Sequence, residues 1–108
     1  MKKKDRSITM KLFKDLEFNE HPMGGVKAKI TFSNGFTISV VAGEGPYSTP
    51  REALSDPNEF SAFEVAIFDD KGDFATQHFF PEESDDVMGW QSRADINTLM
   101  LLVQSKGM

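Results

Sequence analysis

The chain of 108 residues contains no cysteine. Disulfides, thiolate nucleophiles and cysteine-ligated zinc or iron–sulfur centres are therefore excluded, and the absence fits a reducing compartment. Histidine occurs twice, at His21 and His78, and tryptophan and tyrosine once each, at Trp90 and Tyr47. No stretch approaches the roughly 20 consecutive apolar residues of a membrane span. The opening MKKKDRSITMKLF is positively charged with no apolar run behind it, so no secretory signal is expected. A cytoplasmic protein that does not engage a membrane is the expectation. Internal repeats and low-complexity tracts are absent as well. Basic residues are scarce in the middle of the chain. Over residues 30–91 only Arg51 and Lys71 stand against twelve acids, whereas residues 1–29 hold eight Lys or Arg against four. An acidic middle argues against direct nucleic-acid binding, which needs clustered Lys and Arg. It suits a solvated surface or a basic partner protein.

What is present is enough for one folded domain. Ten Phe and six Met supply apolar bulk. Residues 1–9 read as a flexible basic tail and residues 10–108 as a single α+β domain. The clearest local signal is GVKAKITFSNGFTISVVA, residues 25–42. Val26, Ala28, Ile30 and Phe32 alternate with polar residues, and Phe36, Ile38, Val40 and Ala42 repeat the alternation after Asn34-Gly35. A two-residue turn would put the two apolar sets on opposite faces. A three-residue loop, Ser33-Asn34-Gly35, pairs Phe32 with Phe36, Ile30 with Ile38 and Ala28 with Val40, and buries one continuous face. A type I turn with Gly35 left-handed in a bulge follows.

A second hairpin is expected from Phe60 to Phe80 around Asp69-Asp70-Lys71-Gly72. The same reasoning pairs Asp69 with Asp73, Ile67 with Ala75, Val65 with Gln77 and Phe63 with Phe79. Its other face pairs Phe68 with Phe74 near Phe80, to be covered by the N-terminal segment or left as a partner patch. Lys11 to Phe18 reads as a short helix or an edge strand, ended at His21-Pro22. Three prolines and two glycines make residues 43–58 irregular, with one helical turn expected at Arg51 to Leu54 after Thr49-Pro50. PEESDDVMGW reads as an acidic loop. A helix is expected from about Arg93 to Ser105, with Ser92 and Asp95 as its capping box and Gly107 past its end. The fold class is thus an antiparallel sheet of about four strands, made from two hairpins, with the C-terminal helix on one face.

Constellations for chemistry are weak. His21 and His78 lie in unrelated elements, so a histidine-based triad has no support. Asp69-Asp70-Lys71-Gly72-Asp73 lacks the alternate acids and the twelfth-position Glu of a calcium loop, and no metal is expected. Gly43-Glu44-Gly45-Pro46 follows a strand but Pro46 removes a donor and Glu44 would repel phosphate. Nothing marks the apolar pocket that a paired-carboxylate glycosidase needs. No catalytic residue and no cofactor is assigned. The candidate partner-binding residues are Tyr47, Arg51 and Trp90, types enriched at binding hot spots, with the acidic Glu82, Glu83, Asp85 and Asp86. Trp90, directly before the helix, also reads as a core lid.

Phe32-x-Asn34-Gly35-Phe36, Ser39-Val40-Val41, a glycine-rich turn with Tyr47-Ser48, Phe63-Glu64-Val65-Ala66-Ile67, and Asp86-Val87-x-Gly89-Trp90 before a C-terminal helix are the motifs that stand out. Over roughly residues 10–105 this pattern resembles small uncharacterised accessory proteins of tailed bacteriophages. Phe36 and Trp90 stand where tyrosine is expected in that group, and Ser55 to Ser61 is longer. The resemblance implies an accessory phage protein made in the infected bacterial cell, and it carries no catalytic residues. The expectation is a non-enzymatic module that binds a host or phage protein and modulates a host protein through its acidic surface. The alternative is a small virion or assembly protein acting by self-association as a homo-oligomer.

Overall fold

A computed structural model describes residues 10–106. The expectations for residues 1–9, and for Gly107 as a helix cap, lie outside the described residues. The architecture is α+β. Five antiparallel strands, β1 (Asn19–Glu20), β2 (Val26–Thr31), β3 (Thr37–Ala42), β4 (Phe63–Phe68) and β5 (Val87–Gln91), follow one another in the sheet in chain order. A one-turn helix α1 (Thr76–Phe79) precedes β5, and the long helix α2 (Arg93–Gln104) follows it.

The first hairpin takes the register that its alternation requires. Ile30 pairs with Ile38 and Ala28 with Val40. Phe32 N–H donates to the Phe36 carbonyl at 2.8 Å, and Gly35 closes the turn at φ +96°, a conformation that glycine adopts without a side-chain clash. Ala28, Ile38, Val40, Val65, Ile67 and Met88 line the inner face against Ile96, Leu99, Met100 and Val103 of α2, all buried. The capping box of α2 is in place: Ser92 Oγ accepts from Asp95 N at 3.1 Å, and Asp95 Oδ2 accepts from Ser92 N at 3.0 Å.

The second hairpin begins as its sequence implies and then departs from it. Asp69 N donates to Asp73 O at 2.9 Å, Phe68 bridges Phe74, and Ala75 N donates to Ile67 O at 2.7 Å. The chain then turns into α1. Thr76, fully buried, explains the diversion. Its hydroxyl accepts from Ile67 N at 3.0 Å, taking the donor that a continuing strand would use, and donates to the Asp86 carbonyl at the start of β5. Val65 therefore pairs with Met88 rather than Gln77, and Phe63 with Gln91 rather than Phe79. Residues 87–90, expected within an acidic loop, form with Gln91 the fifth strand of the sheet, and Phe79 packs edge-on against Phe36 at 5.0 Å.

Three smaller expectations are also resolved. Of the two alternatives for Lys11 to Phe18, the short helix is the one that forms, as a single 3₁₀ turn at Phe13–Asp15, and the segment lays Phe13 and Phe18 against Phe63 with ring centroids 5.2 and 5.7 Å away. It covers that end of the core, not the Phe68–Phe74 pair, and Phe80 packs against the core as well. The helical turn expected at Arg51 to Leu54 forms at Pro57–Glu59, where the Asp56 side chain accepts from Asn58 N. Thr49 is engaged instead in a bridge with Ala62.

Candidate functional site

The irregular segment after β3 delivers Tyr47 to the C-terminal end of β5. Ser48 anchors it from within. That buried hydroxyl accepts from Gly43 N at 3.1 Å and donates to the Pro50 carbonyl at 2.9 Å, with the Gly43 carbonyl also in reach at 3.1 Å. The Thr49–Ala62 bridge then returns the chain to β4.

The strand below Tyr47 is built to receive it. Between the pairs Phe63–Gln91 and Val65–Met88, Glu64 alone stands opposite both Gly89 and Trp90, a β-bulge. Gly89 lies under Tyr47, and a Cβ there would come 2.6 Å from the Tyr47 Cβ, so only glycine permits the approach. Trp90 takes φ +54°, the one non-glycine residue with positive φ among the described residues. For a bulky side chain this conformation costs on the order of 1–3 kcal/mol and persists only where the surroundings enforce it. Here Trp90 N donates to Tyr47 O at 2.9 Å.

The result is an exposed stack. The Tyr47 and Trp90 rings lie 5.0 Å apart at 26°, and the Arg51 guanidinium carbon sits 5.0 Å from the Tyr47 ring centre. Arg51 is fixed by donating to Gly45 O at 2.9 Å. Tyr47 N reaches toward the Glu64 carboxylate at 3.5 Å. Trp90 is 55% exposed and Tyr47 42%, so Trp90 is not a lid on the core. Flat apolar area, an electron-rich ring face, a planar cation and a carboxylate are the chemical resources of this surface.

Of the residues the sequence singles out, Tyr47, Arg51 and Trp90 come together. Glu82, Glu83, Asp85 and Asp86 do not join them: they occupy the loop between α1 and β5, tied down by Gln77 Nε2 donating to Glu83 O at 3.1 Å. Asp86 and Trp90 are four residue steps apart along the strand, about 13 Å. Gly89, Glu64 and Ser48, which the sequence analysis places in structural motifs but not among the binding candidates, complete the site. A glycine inside the apolar run Val87-Met88-Gly89-Trp90 is a bulge signal; for Glu64 and Ser48 no local signal exists.

Elsewhere, Asp69 Oδ1 accepts from Lys71 N and Asp73 N, each at 2.9 Å. The Asp73 N–H holds this carboxyl below its ordinary value, with the Lys71 N–H and ammonium adding to the effect. His21 Nδ1 accepts from Met23 N at 3.0 Å, and His78 stands edge-on to Phe79. Among the described residues no three His, Asp or Glu side chains are placed to share a metal ion, and no helix is long and apolar enough to cross a membrane. No protein-family model, curated protein or solved structure matches this chain.

Proposed function

We propose that this protein is a non-enzymatic protein-binding module of the phage accessory type, and that it binds through the surface centred on Tyr47, Arg51 and Trp90. One observation carries the reading. The chain's only tryptophan is held outward in a left-handed conformation and stacked on its only tyrosine, with more than half of its surface left exposed. Tryptophan, tyrosine and arginine are the residues that most often anchor protein interfaces. The formal charge of −5, and the acids of residues 30–91, favour a basic partner and a salt-sensitive encounter. Modulation of a host protein in the infected cell is the role this reading assigns.

The test is a paired capture from bacterial host lysate with tagged wild type and Trp90→Ala, at low and high salt, read by mass spectrometry. A protein retained by wild type and lost by the variant, at equal thermal stability, is the expected result. Retention of the same proteins by both would remove the stack from the interface.

A second reading rests on the other aromatic pair. Phe68 and Phe74 lie 4.8 Å apart at the far end of β4, with Phe74 52% exposed. Self-association through this face, as in a virion or assembly protein, predicts a mass in light scattering that rises with concentration and falls back in Phe74→Ser.

A further inference from the structure

We infer that the Tyr47–Trp90 stack receives an arginine side chain of the partner, its guanidinium lying on the indole of Trp90 beside the Glu64 carboxylate. This rests on the proposed binding role and names the chemistry of the group it takes. Three features support it. The first is the stack's own behaviour: Arg51 already lies 5.0 Å from the Tyr47 ring, and Arg93 lies 5.1 and 5.2 Å from the rings of Phe13 and Phe63. Two arginines and one lysine, Lys29 at 5.7 Å from the Phe68 ring, thus lie over aromatic faces of this molecule, the arginines closer, while Trp90 retains more than half of its surface and has no cation of its own among those contacts. Indole is the best of the aromatic faces for this purpose.

The second feature is charge. Residues 43–64, the segment that delivers Tyr47 and ends on Glu64, hold Glu44, Glu52, Asp56, Glu59 and Glu64 against the single Arg51. Arg51 is committed to Gly45 O and to Tyr47. An incoming cation therefore meets a surface with excess negative charge, and an incoming anion is repelled. The third is position. The bulge places Glu64 opposite both Gly89 and Trp90 in the strand pairing, and its carboxylate reaches the backbone of Tyr47, the ring partner of Trp90. Its contact to Tyr47 N, at 3.5 Å, is long and leaves lone pairs to accept from a guanidinium. Arginine is favoured over lysine because a planar, weakly hydrated guanidinium stacks on a ring and bonds a carboxylate in the same plane, which a compact ammonium does not.

Trp90 is the only tryptophan, so its fluorescence reports the site directly. The full chain is titrated with hexa-arginine, hexa-lysine and hexa-glutamate peptides at low salt. The inference expects saturable quenching by hexa-arginine, weaker binding of hexa-lysine and no response to hexa-glutamate. In Glu64→Gln, which keeps an acceptor for Tyr47 N, the hexa-arginine affinity should fall about two- to fivefold. No response to hexa-arginine, equal affinity for hexa-lysine, or an unchanged affinity in Glu64→Gln overturns it. So does a Trp90 signal that changes with protein concentration alone, which would give the surface to a second copy of the chain. A captured protein that Trp90→Ala loses but Glu64→Gln and salt leave untouched would uphold the binding role while refuting the arginine.

Discussion

Gly89 is the residue on which the exposed stack depends. Its missing side chain is the floor on which Tyr47 rests. A Cβ added at Gly89 would approach the Tyr47 Cβ to 2.6 Å, and rotating a flexible tip cannot relieve this, because both atoms sit next to backbone. Gly89→Ala is therefore expected to lift Tyr47 from β5 and break the ring stacking. The near-ultraviolet circular dichroism of Trp90 should collapse, while the far-ultraviolet spectrum stays the same. Overpacking of this kind costs about 1–3 kcal/mol, which a melt would register as a modest fall. An unchanged near-ultraviolet band would mean that Tyr47 does not lean on Gly89. The dipeptide Gly89-Trp90 is visible in the sequence, but its meaning is not. A glycine before a tryptophan is equally compatible with a loop, and only the opposite residue Glu64 makes it a bulge.

At the scale of elements, the two hairpin turns show how far local chemistry reaches. Asn34-Gly35 sets the register of β2 and β3 because a one-residue slip would turn every apolar side chain outward. Asn34 Oδ1 accepts from Phe36 N in that turn, and the turn at Asp69 is held likewise by its own carboxylate, accepting from Lys71 N and Asp73 N. That carboxyl is held below its ordinary value in the folded state, chiefly by the Asp73 N–H. A depressed folded value means the contribution is complete above the unfolded value, about 3.9, and disappears as pH falls through the folded one. Asp69→Asn keeps the acceptor oxygen and removes the charge. Wild type should melt higher than this variant at neutral pH, and the gap should close as the pH is lowered from about 4 toward 2. A gap that does not narrow would show that the charge contributes nothing. The strand after this turn ends early for a reason that no pattern of alternation contains: the Thr76 hydroxyl takes the Ile67 donor and hands the edge of β4 to β5.

Across the whole molecule, the two ends of the described chain are sutured together. Gln104, buried on α2, donates to Lys11 O at 2.6 Å and accepts from Lys11 N at 2.9 Å, and Asn97 Oδ1 accepts from Phe13 N at 2.8 Å. Arg93 adds hydrogen bonds to the carbonyls of Phe60 and Pro57. Gln104→Ala leaves both Lys11 backbone groups without these partners, and should lower stability by about 1–3 kcal/mol. Hydrogen exchange should rise at the amides of Lys11 and Phe13 and remain slow in β3 and β4; protection that stays intact at Lys11 would show that the suture is dispensable. The sequence by itself determined the first hairpin and its register, the capped C-terminal helix and the α+β class, because alternation, turn residues and caps act between neighbours. The exposed stack of Tyr47, Arg51 and Trp90, the place of residues 87–91 as a strand and the separation of the acidic loop from that stack were decided only by the tertiary structure. Each depends on contacts that no local pattern contains: the stack on Tyr47 resting on Gly89, and the fifth strand with the loop before it on Thr76 engaging Ile67 and Asp86.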